Sequence, residues 1–239
     1  EWTGRKDAMT LKRAEYADAL RALPPDAVAA YLSANSGLPG PRSNLTLLDA
    51  AGDVLSSELA RAFIADEDEY LASCGTVSLG RLLLDGDRGL IGTLTTLAAD
   101  GRWRVRESVA IAAQRVGDED AALLRELVAT WTAHPDPLVV RAGIAAICEP
   151  RLLADPKTEA AAIVACQDAT AHLKATPAEH RRDAGVRTLR QGLGYCWSVA
   201  VAADPVTGLA AFAALDASDP DVAWVIAENR KKKRLAALL

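Results

Sequence analysis

Residues 103–116 have the sequence Trp-Arg-Val-Arg-Glu-Ser-Val-Ala-Ile-Ala-Ala-Gln-Arg-Val. Apolar side chains recur in this segment at helical spacing, as the stripe Val105, Val109, Ala112 and Val116. Because residues three and four apart share one face of a helix, the stripe predicts an amphipathic helix that buries one face. The opposite face is then available to solvent or to a partner.

The beginning of this helix recurs three times later in the chain. A Val stands at the equivalent place in Leu138–Arg141, Ala184–Arg187 and Pro220–Ala223, and an apolar stripe follows each one. The four equivalent residues are Val105, Val140, Val186 and Val222. Their separations of 35, 46 and 36 residues are close to the ~40 residues of a two-helix repeat. The sequence therefore predicts a stack of helical pairs.

The composition favours helices over strands. Hydrophobic residues make up 50% of the chain but aromatic residues only 5%, so the core consists mainly of Ala, Leu and Val. Capping residues, Pro and Gly predict a helix over Thr10–Leu23, a second that restarts at Pro24–Asp26 and a third that Asn44 caps. Further helices are expected to begin near Asp53, Glu67, Asp87, Trp103, Asp118, Pro137, Pro156, Ala178, Pro205 and Asp221. These short segments leave no room for strands, so we predict an all-α fold.

The recurring segments resemble HEAT repeats, in which an Asp precedes a Val-Arg pair at the start of the second helix. Asp100, Asp136 and Asp183 precede Arg106, Arg141 and Arg187 in this way. Three segments look like a bacterial HEAT-repeat family of unassigned activity, namely Arg102–Glu107, Cys148–Leu153 and Gly192–Trp197. The ending Ala223–Asn229 is similar to the last helix of that family.

The resemblance implies a right-handed α-solenoid. One HEAT-like repeat domain would cover residues 1–239, with clear repeats over residues 100–239 and degenerate helical repeats over residues 1–99. By the same resemblance, the motif Asp and Arg side chains would form a ladder between repeats, and the second helices would line a concave face.

Charge and hydropathy bear on the partner and on the location of the protein. The net charge is −5, and residues 1–100 alone contribute −6, so nucleic acid is a possible but not a favoured partner. No apolar stretch reaches the ~20 residues of a membrane span, and the start of the chain lacks the pattern of a signal peptide. We therefore expect a cytoplasmic protein that does not enter membranes.

The chain has no motif diagnostic of catalysis, a cofactor or a metal. Cys74, Cys148, Cys166 and Cys196 lack paired spacing and are expected to be buried free thiols, and His134, His172 and His180 lack metal-ligand spacing. Gly192 and Gly194 are expected to permit close contact with a neighbour or with a partner. We accordingly predict no cofactor and no metal site.

Two charge runs are explained by helix dipoles. The acidic run 66–69 is expected to open a helix, where carboxylates face the positive end of the dipole. The basic run 230–234 is expected to lie late in a final helix and cap the stack with a polar surface. Binding of an acidic partner or nucleic acid is the alternative for the basic run.

Seven residues are candidates for a binding groove on the second helices. Trp103 and Glu107 share one helical face, and residues of the later repeats follow on helices expected to stack beside it. The candidate groove residues are Trp103, Arg104, Glu107, Arg141, Arg187, Tyr195 and Trp224. Trp131 and Trp197 are instead expected in the core.

Four of these residues resemble the cleft of AlkD-like alkylpurine DNA glycosylases, which are also HEAT-like. The resemblance implies that Trp103 and Tyr195 contact the damaged nucleotide and the backbone, that Glu107 stabilises a cationic sugar, and that Arg141 holds a phosphate. Glu107 stands where that family has Asp, and Tyr195 where it has Trp. An added methylene displaces a carboxylate by more than a catalytic site usually tolerates.

A purely structural explanation covers the same residues. Trp103 would fill a gap between repeats, Glu107 would pair with Arg104 or Arg106, and Arg141 would belong to the ladder. Our leading hypothesis is a non-enzymatic interaction protein that binds a partner protein or peptide on its concave face. The alternative is a glycosylase, or a protein that binds DNA without chemistry.

Overall fold

The computed structural model describes residues 3–239, with side chains from Lys12 onward, and all regular structure in that range is helical. The prediction of an all-α fold is confirmed. The α-helices of the described range are α1 (Thr3–Ala22), α2 (Pro25–Ala34), α3 (Leu45–Val54), α4 (Ser57–Ile64), α5 (Glu69–Leu84), α6 (Leu90–Ala98), α7 (Trp103–Glu119), α8 (Ala121–Thr132), α9 (Pro137–Ile147), α10 (Pro156–Ala175), α11 (Ala184–Ala203), α12 (Pro205–Ala213), α13 (Pro220–Arg230) and α14 (Lys233–Ala236). Within Lys12–Leu239, no helix is both long and apolar enough to cross a membrane.

Helix starts follow local capping chemistry. Four helices begin at an Asp-Pro step, in which the carboxylate accepts a backbone N–H and the Pro occupies the first helical position. Asn44 accepts from Leu47 N at 3.1 Å, which confirms it as the cap of α3. The acidic run also opens a helix as predicted, because Asp68 caps α5 and Glu69 is its first residue.

Several predicted boundaries are wrong. Helix α1 begins at Thr3 rather than Thr10, and Asp53 lies inside α3, so the next helix begins only at Ser57. The start expected near Ala178 is a 3₁₀ turn over Ala178–His180, and α11 begins only at Ala184. The basic run 230–234 does not lie within one final helix, because α13 ends at Arg230 and Lys232 is extended. The chain restarts as α14, and the buried side chain of Leu235 anchors this short helix.

The chain divides into two compact units, residues 1–115 and 116–239, and the boundary falls within α7. In the first unit α3 packs against α1 and α5, while α2, α4 and α6 also contact α5. Helix α5 is the centre of this unit, since thirteen of its sixteen residues are buried. The single repeat domain proposed for residues 1–239 stays a prediction.

In the second unit, alternate helices pack against each other. Helix α11 contacts α9 and α13, while α10 contacts α8 and α12. Val140, Val186 and Val222 are all buried near the starts of α9, α11 and α13, as the repeat pattern predicts. Trp131 and Trp197 are fully buried, which confirms that they belong to the core. The indole of Trp197 donates to Thr170 Oγ1 at 3.0 Å.

The motif Asp residues act locally rather than as a ladder. Asp100 accepts from its neighbour Arg102 at 2.9 Å, Asp136 accepts from Leu138 N at 2.8 Å, and Asp183 lies 3.0 Å from His180. Other pairs join successive odd-numbered helices. They include Glu69 with Arg104 at 2.8 Å in the first unit and Asp221 with Arg190 at 2.8 Å in the second.

Candidate functional site

The first unit contains a cleft of about 420 Å³ into which three of the predicted site residues project. It lies between the segment before α3 and the N-terminal parts of α3, α5 and α7. We call it the Trp103 cleft, and its lining consists of Pro41, Arg42, Ser43, Leu45, Leu48, Tyr70, Ser73, Trp103, Arg104, Glu107, Ser108 and Ile111.

Asn44 holds the loop side of the cleft in place. Its backbone N–H donates to Ser36 O at 2.7 Å, and its side-chain amide donates to Tyr16 Oη at 3.2 Å and Asn35 O at 3.1 Å. The backbone carbonyl of Asn44 accepts from Tyr70 Oη at 2.7 Å. Burial raises the pKa of Tyr70 above its ordinary value, so this phenol stays protonated and keeps donating.

Trp103 forms an exposed aromatic edge of the cleft. Its side chain is 54% exposed, so it does not fill a gap between helices as the structural explanation requires. The guanidinium of Arg104 lies 4.6 Å from the centre of the indole ring, within the range of a cation–π contact. Arg104 also donates from its side chain to Glu69 Oε2 at 2.8 Å and from its backbone to Glu69 Oε1 at 3.2 Å.

Glu107 lies one turn after Trp103 and is half-buried in the same cleft. Ile111 lies one turn further and also lines it. The prediction that Trp103 and Glu107 share a helical face is therefore confirmed. Arg104 pairs with Glu69, and Arg106 donates to Asp100 O at 2.6 Å.

The polar groups inside the cleft are largely used by the protein itself. Ser73 Oγ donates to Glu69 O at 2.7 Å, and Ser108 Oγ donates to Arg104 O at 2.9 Å. The Tyr70 hydroxyl is held by Asn44 in the same way. The walls accordingly offer a ligand mainly the apolar surfaces of Leu45, Trp103 and the half-buried Ile111, because Leu48 and Tyr70 are buried.

The remaining four predicted residues belong to the second unit. Trp224 packs on α11 at Gly194, where an added Cβ would lie 3.0 Å from Trp224 Cζ3. The guanidinium of Arg190 lies 4.7 Å from the centre of the Trp224 ring, within the range of a cation–π contact. The contact at Gly194 confirms that this glycine permits close approach of a neighbouring helix.

Tyr195 and Arg141 make contacts of the same kind within the second unit. Arg234 of α14 donates to Tyr195 Oη at 3.0 Å. The Arg141 side chain packs against Gly192, where an added Cβ would lie 3.3 Å from Arg141 Cγ. Arg187 is exposed on α11. The candidate residues therefore fall into two sets, one on α7 and one on α9, α11 and α13.

Three cysteines of the second unit converge, although the sequence suggested no relation between them. Cys148 Sγ lies 3.7 Å from Cys166 Sγ, and Cys196 Sγ lies 3.6 Å from Ile144 O. All four cysteines of the chain are buried free thiols, as predicted. The neighbouring Cys166 thiol and burial together raise the pKa of Cys148, which keeps it a neutral thiol. Among Lys12–Leu239, no group of His, Cys, Asp and Glu could hold a metal ion.

Sequence reasoning missed the half of the Trp103 cleft that residues 41–73 provide. The available signal was Leu45, which directly follows the Asn44 cap. In the structure its apolar side chain is exposed and does not join the core.

No family model, curated protein or solved structure matches this chain.

Proposed function

We propose that this chain is a non-enzymatic α-solenoid of HEAT-like repeats, and that it binds a partner protein or peptide in the Trp103 cleft. The observation that carries the proposal is a cleft with apolar walls and a half-exposed Trp at its edge. Aromatic side chains in such positions are the usual anchors of protein interfaces.

The helix contacts support the repeat architecture. In the second unit the odd-numbered helices α9, α11 and α13 form one series of contacts, and the even-numbered helices α8, α10 and α12 form another. Two such layers are what stacked helical pairs produce. Each of α9, α11 and α13 also has a buried Val near its start, which supports the proposed repeat.

The exposed apolar surface supports binding. Leu45 is 59% exposed and Trp103 is 54% exposed, and both line the same cleft. Exposed apolar side chains that line one concavity lose unfavourable hydration when a partner covers them. The internally bonded hydroxyls of Ser73 and Ser108 add no polar surface that a partner would have to desolvate.

The test is selection of binders from a display library of random peptides, followed by affinity measurement on variants. We expect Trp103→Ala to lower the affinity for the selected peptides by at least about ten-fold, because it removes an aromatic anchor. Val206→Ala is the matched control, since Val206 is 87% exposed on α12 and does not line the cleft. Its expected effect is less than two-fold. Recovery of no peptide that depends on Trp103 would refute the proposal.

A second candidate is the glycosylase activity, favoured by one observation. Trp103 and Glu107, the aromatic and the carboxylate of that resemblance, line the same cleft. The test is release of the base from DNA that contains N3- or N7-methylpurines. This candidate requires that the wild type release the base. It also requires that Glu107→Ala lower the rate of release by at least about 100-fold, which is the usual effect of removing a group that stabilises transition-state charge. Release that Glu107→Ala leaves unchanged would eliminate the assigned mechanism.

A further inference from the structure

The charge around the Trp103 cleft adds a second element of recognition to its apolar walls. Arg104 lines the cleft, but its guanidinium is paired with Glu69 at 2.8 Å, and only 19% of its side chain is exposed. Glu107 carries a half-buried carboxylate one turn after Trp103. Arg42 is an exposed cation in the segment before α3. The lining therefore presents a carboxylate on the α7 side and a cation on the loop side.

The surrounding unit decides which of these charges dominates. Residues 1–115 contain 13 Lys and Arg against 16 Asp and Glu, a net charge of −3. The acidic run 66–69 lies at the start of α5, which also provides Tyr70 to the cleft. A negative potential around a cleft attracts cations and repels acidic chains such as nucleic acid.

We infer that the occupant of the Trp103 cleft is a basic amphipathic peptide segment of a partner protein. Its apolar side chain lies between Leu45 and Trp103, and an adjacent Lys or Arg of the peptide donates to the Glu107 carboxylate. This inference rests on the proposed peptide-binding function and specifies its ligand. An ionised carboxylate accepts several hydrogen bonds, so Glu107 can bind a peptide cation in addition to its contacts within the chain. Because Glu107 is half-buried, such a bond is stronger than one between fully exposed charges.

The experiment is a pair of selections from the same random peptide library, one on the wild-type chain and one on Glu107→Lys. Only peptides whose binding depends on Trp103 are compared. On the wild type we expect an apolar residue with Lys or Arg nearby, and on Glu107→Lys we expect Asp or Glu in place of that cation. Trp103-dependent peptides with the same charge preference on both proteins would overturn the inference and leave the proposed function intact. Absence of Trp103-dependent peptides would refute both.

The affinity of one selected peptide for single-charge variants then shows which charged residue of the chain contributes to binding. Glu107→Gln keeps the shape of the side chain and is expected to weaken binding about five- to ten-fold, the usual effect of losing a charge-assisted hydrogen bond. Glu58→Gln removes the same charge from an exposed position on α4 outside the cleft, and its expected effect is less than two-fold. Arg42→Gln is expected to tighten binding, because it removes a cation that repels the peptide. Weaker binding by Arg42→Gln together with unchanged binding by Glu107→Gln would show an acidic ligand and overturn the inference.

Discussion

We expect the Gly80→Val variant to lose at least about 3 kcal/mol of its free energy of unfolding, or to fail to fold. Gly80 lies on α5 where this helix touches the backbone of α7. A Cβ at this position would lie 2.5 Å from Ala112 O, 3.1 Å from Ala112 C and 3.2 Å from Ala112 Cα. These are backbone atoms, so no side-chain rotation can relieve the overlap. Urea denaturation followed by circular dichroism measures the loss.

The opposite face of α5 explains why the helix cannot simply move away. At Gly75 an added Cβ would lie 2.7 Å from Ala60 O and 2.9 Å from Ile64 N, so α4 already packs closely against α5. A shift of α5 away from Ala112 therefore drives it into α4. Tight packing on two sides is what makes overpacking costly.

Gly92→Ala is the matched control for Gly80→Val. Gly92 is exposed within α6, and a Cβ there would meet no atom within 4 Å. We expect this substitution to raise the free energy of unfolding by about 0.5–1 kcal/mol, because Ala has less conformational entropy to lose in a helix. A Gly80→Val variant within about 1 kcal/mol of the wild type would contradict the close approach of α5 and α7.

Local signals accounted for the parts of the fold that could be predicted from the sequence. Asn44 and Asp136 cap helices because their side chains reach backbone N–H groups two or three residues away. Val105 and Val140 are buried because the apolar stripe of each helix repeats at helical spacing. Both signals depend only on neighbouring residues, so they do not require knowledge of the tertiary structure.

Long-range partners could not be predicted in the same way. The Arg104–Glu69 pair joins residues 35 positions apart, and nothing in either segment distinguishes it from a pair between Arg104 and Glu107. The hydrogen bond from Tyr70 to Asn44 likewise depends on how α5 packs beside the start of α3. For this reason the sequence located the α7 side of the Trp103 cleft but not the side formed by Leu45 and Tyr70.

Asn229→Ala is expected to cost about 2–4 kcal/mol of the free energy of unfolding. Asn229 is a fully buried polar side chain that joins α13 to α11. Its Oδ1 accepts from Ser198 N at 2.8 Å, and its Nδ2 donates to Leu193 O and Val225 O, each at 2.8 Å. Alanine removes all three bonds and leaves a cavity beside polar backbone groups that water cannot easily reach. Gln191→Ala, an exposed change on α11, is the control and is expected to cost less than about 0.5 kcal/mol.

Asn229→Asp separates the loss of hydrogen bonds from the loss of volume. The carboxylate still accepts from Ser198 N, but it cannot donate to Leu193 O or Val225 O, and a buried charge is costly without a partner. Burial raises the pKa of such a carboxyl in the folded state above its unfolded value, so the folded protein binds the extra proton more tightly. Stability relative to Asn229→Ala should therefore increase as the pH falls from about 7 towards about 4, where a protonated Asp can donate one hydrogen bond again. Denaturation of both variants at several pH values measures this difference, and a difference that does not change with pH would show that the Asn229 site admits water.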